Sequence, residues 1–251
     1  MLQLNSVNFE TYYKLLQLKG VQLFDSFERP RLLSSDEEEK VFEVLQYYKK
    51  GFPKVNAHVR IGLTFLTGKH FEEYLDEFVK PLLIKGVPSV IQDLKELYNN
   101  QTKVQSIETL LNGYLKSMEK SEKLNESDIE LQDPTVYLWL LYYLANHYLF
   151  VRNVKSAFKF VNKAIEHTPT LIDLYTLKGK IFQLAGDAKS AARLYEEARG
   201  LDTSDRALNA ISACYMVKSG DVQKGQDIIG IFFKDSGYEV TVHDNQCLWF
   251  E

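Results

Sequence analysis

Small and large side chains recur in this chain every 34 residues, and that recurrence limits its possible folds more than any other feature. Ala157, Val161, Ala164 and Pro169 are followed one period later by Ala191, Tyr195, Ala198 and Thr203. A third copy lies at Gly225, Ile229 and Phe232. The stretch ahead of each copy repeats as well. Leu141, Leu144, Ala145 and Tyr148 correspond to Tyr175, Lys178, Gly179 and Phe182, and again to Asn209, Ser212, Ala213 and Met216. Between the two stretches stand Val151-Arg152-Asn153, Ala185-Gly186-Asp187 and Ser219-Gly220-Asp221, at the same interval. The Gly-Asp pairs suit one helix ending and another starting. A small residue near the middle of the first helix (Ala145, Gly179, Ala213) and at the start of the second (Ala157, Ala191, Gly225) lets the two approach closely. Large residues then fill the space above and below.

This is the tetratricopeptide pattern. It predicts an all-α chain, a right-handed α-solenoid of tetratricopeptide-type helical hairpins. Three units are expected within 134–251, at about 138–171, 172–205 and 206–239, with Pro169 closing the first. The start of a further helix follows at Asn245-Gln246-Cys247-Leu248-Trp249-Phe250. An array ordinarily ends on a polar cap, so this apolar end points to a piece of a longer solenoid. Residues 1–118 read as degenerate helical repeats. Helices are expected over 9–18, 36–48, 57–66, 71–83, 87–98 and 104–118, with Pro53 and Pro88 at boundaries and a hairpin turn at Gly68. Residues 119–133, rich in Glu, Lys, Asn and Ser, read as a flexible, solvated connector.

Charge narrows the function. Thirty Lys and Arg face 34 Asp and Glu, which gives a net of −4. Binding a phosphate backbone needs a basic surface, so no direct nucleic-acid site is expected in this segment. No apolar run reaches the ~18–20 residues of a membrane span, and the first residues do not resemble a secretory signal. Cys214 and Cys247 have no metal-ligand spacing around them, so they read as free thiols of a reducing, cytoplasmic compartment.

Chemistry is hard to find. In Gly62–His70 five residues separate the two glycines, and His70 stands where a phosphate loop needs a hydroxyl. The five histidines are scattered, with no His-x-x-x-His pair, and no nucleophile elbow is present. No cofactor, metal or catalytic residue is proposed by the pattern. A binding surface is. In a tetratricopeptide unit the second, fifth, ninth and twelfth positions of the first helix line the concave groove. Here they are Trp139, Tyr142, Asn146 and Leu149, then Asp173, Thr176, Lys180 and Gln183, then Ala207, Ala210, Cys214 and Val217. Aromatics beside an amide suit protein contact. A clamp for a chaperone's terminal carboxylate would need cations at Tyr142, Ala207 and Ile211. With Leu177 also in place, only Asn146 fits.

Several stretches are more specific than the repeat. They are 134–148, Ala164-Ile165-Glu166-His167-Thr168-Pro169-Thr170-Leu171-Ile172, Leu201-Asp202-Thr203-Ser204-Asp205-Arg206 and Gln246-Cys247-Leu248-Trp249-Phe250. Phe65-Leu66-Thr67-Gly68 and Lys85-Gly86-Val87-Pro88-Ser89 join them upstream. Together they resemble the large auxiliary subunit of the N-terminal acetyltransferase A (NatA) complex. The resemblance implies a non-catalytic scaffold that wraps and orients a small catalytic acetyltransferase subunit. It also implies placement near the ribosome exit tunnel, through the complex or other parts of the full-length protein. Family members bind an inositol polyphosphate in a region equivalent to 206–218. Of that region Arg206, Tyr215 and Lys218 remain, while Ile211 and Cys214 replace lysines. The alternative to the scaffold is a tetratricopeptide adaptor unrelated to acetylation.

Overall fold

A computed structural model describes residues 8–52, 56–125 and 128–232. Among these the regular elements are helices, interrupted by one isolated antiparallel bridge between Phe24 and Pro30. The chain divides into two compact units, Met1–Val136 and Tyr137–Glu251.

The first unit begins with α1 (Phe9–Leu18), started by the Asn8 side chain and burying Tyr12 and Leu16 one turn apart. In α2 (Ser35–Gly51) the Ser34 hydroxyl and the Glu37 carboxylate each accept from the other's amide, a capping box. Asp36, Glu37 and Glu38 in its first turn, and Lys49 and Lys50 in its last, complement the helix dipole. α3 (Ala57–Phe65) packs between α2 and α4 (Gly68–Ile84) and is buried on almost every side. Gly62 makes that possible, since a Cβ there would lie 2.7 Å from Cγ of the buried Tyr74. Gly68, at φ +54°, turns the chain between α3 and α4, as its position in the sequence predicts.

Beyond α4 the expected helix over 87–98 is broken. Pro88 keeps its neighbour out of helical geometry, and only a short α5 (Val90–Asp93) and a 3-10 stretch over Lys95–Asn99 form. α6 (Gln101–Ser121) follows, capped by the Asn100 side chain. Lys103 in its first turn is 6 % exposed. Its Nζ donates to the carbonyls of Leu63 at 2.7 Å and Thr64 at 2.8 Å, in the last turn of α3, and lies 5.0 Å from the Phe71 ring. Burial pushes its pKa down to about 8.

Within 119–133, read from composition as a flexible connector, the described residues make several specific contacts. α6 runs on to Ser121, Leu124 is buried, and Asp128 pairs with Lys80 of α4 at 2.7 Å. The Gln132 amide donates to the Glu122 carbonyl at 2.8 Å. An apolar anchor and an ion pair hold a segment whose composition suggested only solvation.

The division between the units falls within α7 (Pro134–Phe150). The second unit continues with α8 (Val154–His167), α9 (Ile172–Leu184), α10 (Ala188–Leu201), α11 (Arg206–Lys218) and α12 (Val222–Gly230). α9 packs on α8 and α10, α10 on α11, and α11 on α12. Tyr148 of α7 stacks on Phe160 of α8 with ring centroids 5.5 Å apart. The small residues of the pattern sit where helices touch. Ala145, Ala157, Ala191 and Ala213 are fully buried, and a Cβ on Gly179 would lie 2.9 Å from the Tyr195 ring.

The junctions repeat atom for atom. Asn153, Asp187 and Asp221 cap α8, α10 and α12 by accepting from the amides of Ser156, Ser190 and Lys224. The amides of the same three residues donate back to the carbonyls of Tyr148, Phe182 and Met216, closing the preceding helix in a Schellman arrangement. Residues 233–239 of the third expected unit, and the expected helix start at 245–250, lie outside the described residues.

Candidate partner-binding groove

α7 is apolar around nearly its whole circumference, so most of it is buried. Trp139, Tyr142, Asn146 and Leu149, spaced to share one face, form its half-buried stripe. The Trp139 and Tyr142 rings meet edge to face at 5.5 Å. The Asn146 amide donates to the Tyr142 carbonyl at 3.0 Å. Burial, and after it the Asp173 carboxylate, raises the Tyr142 hydroxyl above its usual pKa, against an opposing effect from the Asn146 side chain.

On α9 the four positions open progressively. Asp173 and Thr176 are half-buried, while Lys180 and Gln183 are exposed. Leu174, Leu177 and Ile181 take the adjoining, buried face. Thr176 spends its hydroxyl on the Asp173 carbonyl at 2.9 Å. Gln183 accepts from the Tyr215 hydroxyl of α11, and this contact links the second and third units of the repeat. The third row is shallow: Ala207 is exposed, Ala210 and Val217 are half-buried, and Cys214 is buried as a free thiol.

The three residues retained from the polyphosphate region do not converge. Tyr215 is buried, stacks on Tyr195 at 4.1 Å and is committed to Gln183. Lys218 lies 4.9 Å from the Tyr215 ring. Arg206 sits over Phe232 at the opposite end of α11, roughly 18 Å along an axis that rises about 1.5 Å per residue.

The groove offers an aromatic pair, an amide, a carboxylate and an ammonium, which suits a protein surface. The coupling of Gln183 to Tyr215 escaped the sequence reading, because Tyr215 is not a groove position in the repeat register. Its only trace in the sequence is a Tyr where that register asks for no particular residue. Among the described residues no three His, Cys, Asp or Glu side chains group to hold a metal, and no helix is long and apolar enough to cross a membrane.

The chain matches, over residues 1–251, the profile of a family described as "N-terminal acetyltransferase A, auxiliary subunit". It is 33 % identical over 251 residues to the N-terminal acetyltransferase A complex auxiliary subunit NAA15 of Arabidopsis thaliana, covering 100 % of this chain and 27 % of that protein. To the N-alpha-acetyltransferase 16, NatA auxiliary subunit, of Homo sapiens it is 31 % identical over 230 residues, 91 % of this chain and 26 % of that one. Among solved structures it is similar to one of Naa15/Naa10 bound to HypK-THB, with a TM-score of 0.78 and 29 % identity over 99 % of this chain and 35 % of that one. The chain thus spans about a quarter of the length of these curated relatives.

Proposed function

Because this chain belongs to the N-terminal acetyltransferase A auxiliary-subunit family, we propose that it is a non-catalytic scaffold segment that binds and orients the complex's small acetyltransferase subunit. The observation that carries this reading is its likeness, over 99 % of its length, to a protein solved together with Naa10. Contact with the partner is assigned first to Trp139, Tyr142, Asn146 and Leu149, then to Asp173, Thr176, Lys180 and Gln183. Half-buried aromatics beside polar groups give a well-packed interface centre at low entropic cost. Ribosome association comes through the assembled complex or other parts of the full-length protein, and the complex works in the cytoplasm.

Co-purification tests both levels. The full-length protein is expected to bring down a small acetyltransferase, and Trp139→Ala with Tyr142→Ala to weaken that association at least tenfold. Absence of any acetyltransferase from the wild-type pulldown would refute the scaffold. Undiminished capture by the double variant would refute the groove assignment alone.

A further inference from the structure

Residues 119–133 hold six carboxylates and two lysines, a net charge of −4. The whole chain also carries −4, so everything outside this segment is balanced. Within it two aliphatic side chains face water, Ile129 at 93 % exposure and Leu131 at 64 %. Single exposed leucines are ordinary surface features. This pair differs because the backbone that presents it is tied down on both sides. Before it, Asp128 is paired with Lys80 at 2.7 Å and accepts from the Asn125 amide at 3.0 Å. After it, the Gln132 amide is bound to the Glu122 carbonyl, and Asp133 accepts from the Thr135 amide at 2.8 Å as α7 begins. Leu124, a few residues earlier, is buried, so the segment has an apolar anchor and leaves Ile129 and Leu131 out of it. Glu130 stands between the two aliphatics and is exposed, as is Glu122 beside Gln132.

We propose that Ile129 and Leu131 form a docking point for a basic segment of a partner protein, which sets aliphatic side chains against the pair and lysines or arginines against Glu122 and Glu130. The charge decides the occupant. A concentration of carboxylates repels nucleic acid and anionic lipid, and it draws a cationic protein segment. Apolar contact then gives the complex its lifetime, and the bonds that already hold Asp128 and Gln132 lower the entropic cost of association.

The test uses the full-length protein and a fluorescent 18-residue amphipathic peptide of leucines and lysines. Ile129→Ser with Leu131→Ser, both at exposed positions, is expected to weaken binding at least tenfold. Glu122→Gln with Glu130→Gln is expected to weaken it severalfold and to reduce its salt dependence. A peptide with every lysine changed to glutamate is expected not to bind. Equal affinity of the serine variant and the wild type would overturn the proposal, as would binding of the glutamate peptide. Co-purification of the acetyltransferase is expected to survive the serine variant, which separates failure here from failure of the scaffold reading.

Discussion

Arg152 adopts a backbone conformation that its two counterparts leave to glycine. Its φ is +59°, against +84° at Gly186 and +97° at Gly220, and each of the three is the left-handed residue that ends a helix. A side chain in that region costs about 1–2 kcal/mol, part of which glycine's extra freedom in the unfolded chain offsets. Arg152→Gly is therefore expected to stabilise the second unit by about 0.5–1 kcal/mol, seen as a higher denaturant midpoint with an unchanged slope. His58 presents the opposite case. It is 1 % exposed, and neither ring nitrogen has a hydrogen-bond partner among the described residues. Glu77 of α4 lies 3.9 Å away, too far to bond, and is already held at 2.6 Å by Lys49 of α2. Burial, with Lys49 adding to it and Glu77 opposing, lowers the His58 pKa below its ordinary 6.5. The unfolded chain then takes up a proton at a pH where the folded chain resists it. Stability is full above pH 6.5 and falls as pH drops toward the folded value. Thermal unfolding between pH 7.5 and 5, values chosen to bracket about 6.5, should show that loss in the wild type and a flatter profile in His58→Leu.

Helix pairs owe their spacing to single missing side chains. A Cβ at Gly225 would lie 2.6 Å from Val217 Cγ2 and 3.0 Å from the Ala213 carbonyl, and the carbonyl cannot rotate away. Gly225→Ala is expected to force α11 and α12 apart at about 1–3 kcal/mol, measurable as a lowered melting temperature. The repeat made this position legible, since Gly225 aligns with Ala157 and Ala191. Legibility ends where stabilisation comes from outside the repeat. Lys103 looks in sequence like a solvent-facing residue of a helix start. It is buried because the last carbonyls of α3, forty residues earlier, lack helical partners and accept from it. The hold of Lys80 on Asp128 is hidden for the same reason, being a contact across 48 positions between residues whose types suit a surface. On α7 the spacing of Trp139 and Tyr142 sets both on one half-buried face. The repeat register could not show that Tyr215, from outside it, would engage Gln183.

At the scale of the molecule, the chain divides into two compact units, each with its own buried apolar side chains. The full-length protein alone is expected to transfer no acetyl group to a peptide amine. Activity should appear on adding the small acetyltransferase, and acetyl transfer by the protein alone would end the scaffold reading. The matched junctions of the second unit carry a consequence for its ancestry and engineering. Since the chain enters and leaves 153–186 through the same set of backbone bonds, that block is a cassette with identical splice points. Duplicating or excising it would preserve the backbone bonds of each seam, so such an array can gain or lose whole hairpins without inventing a new joint.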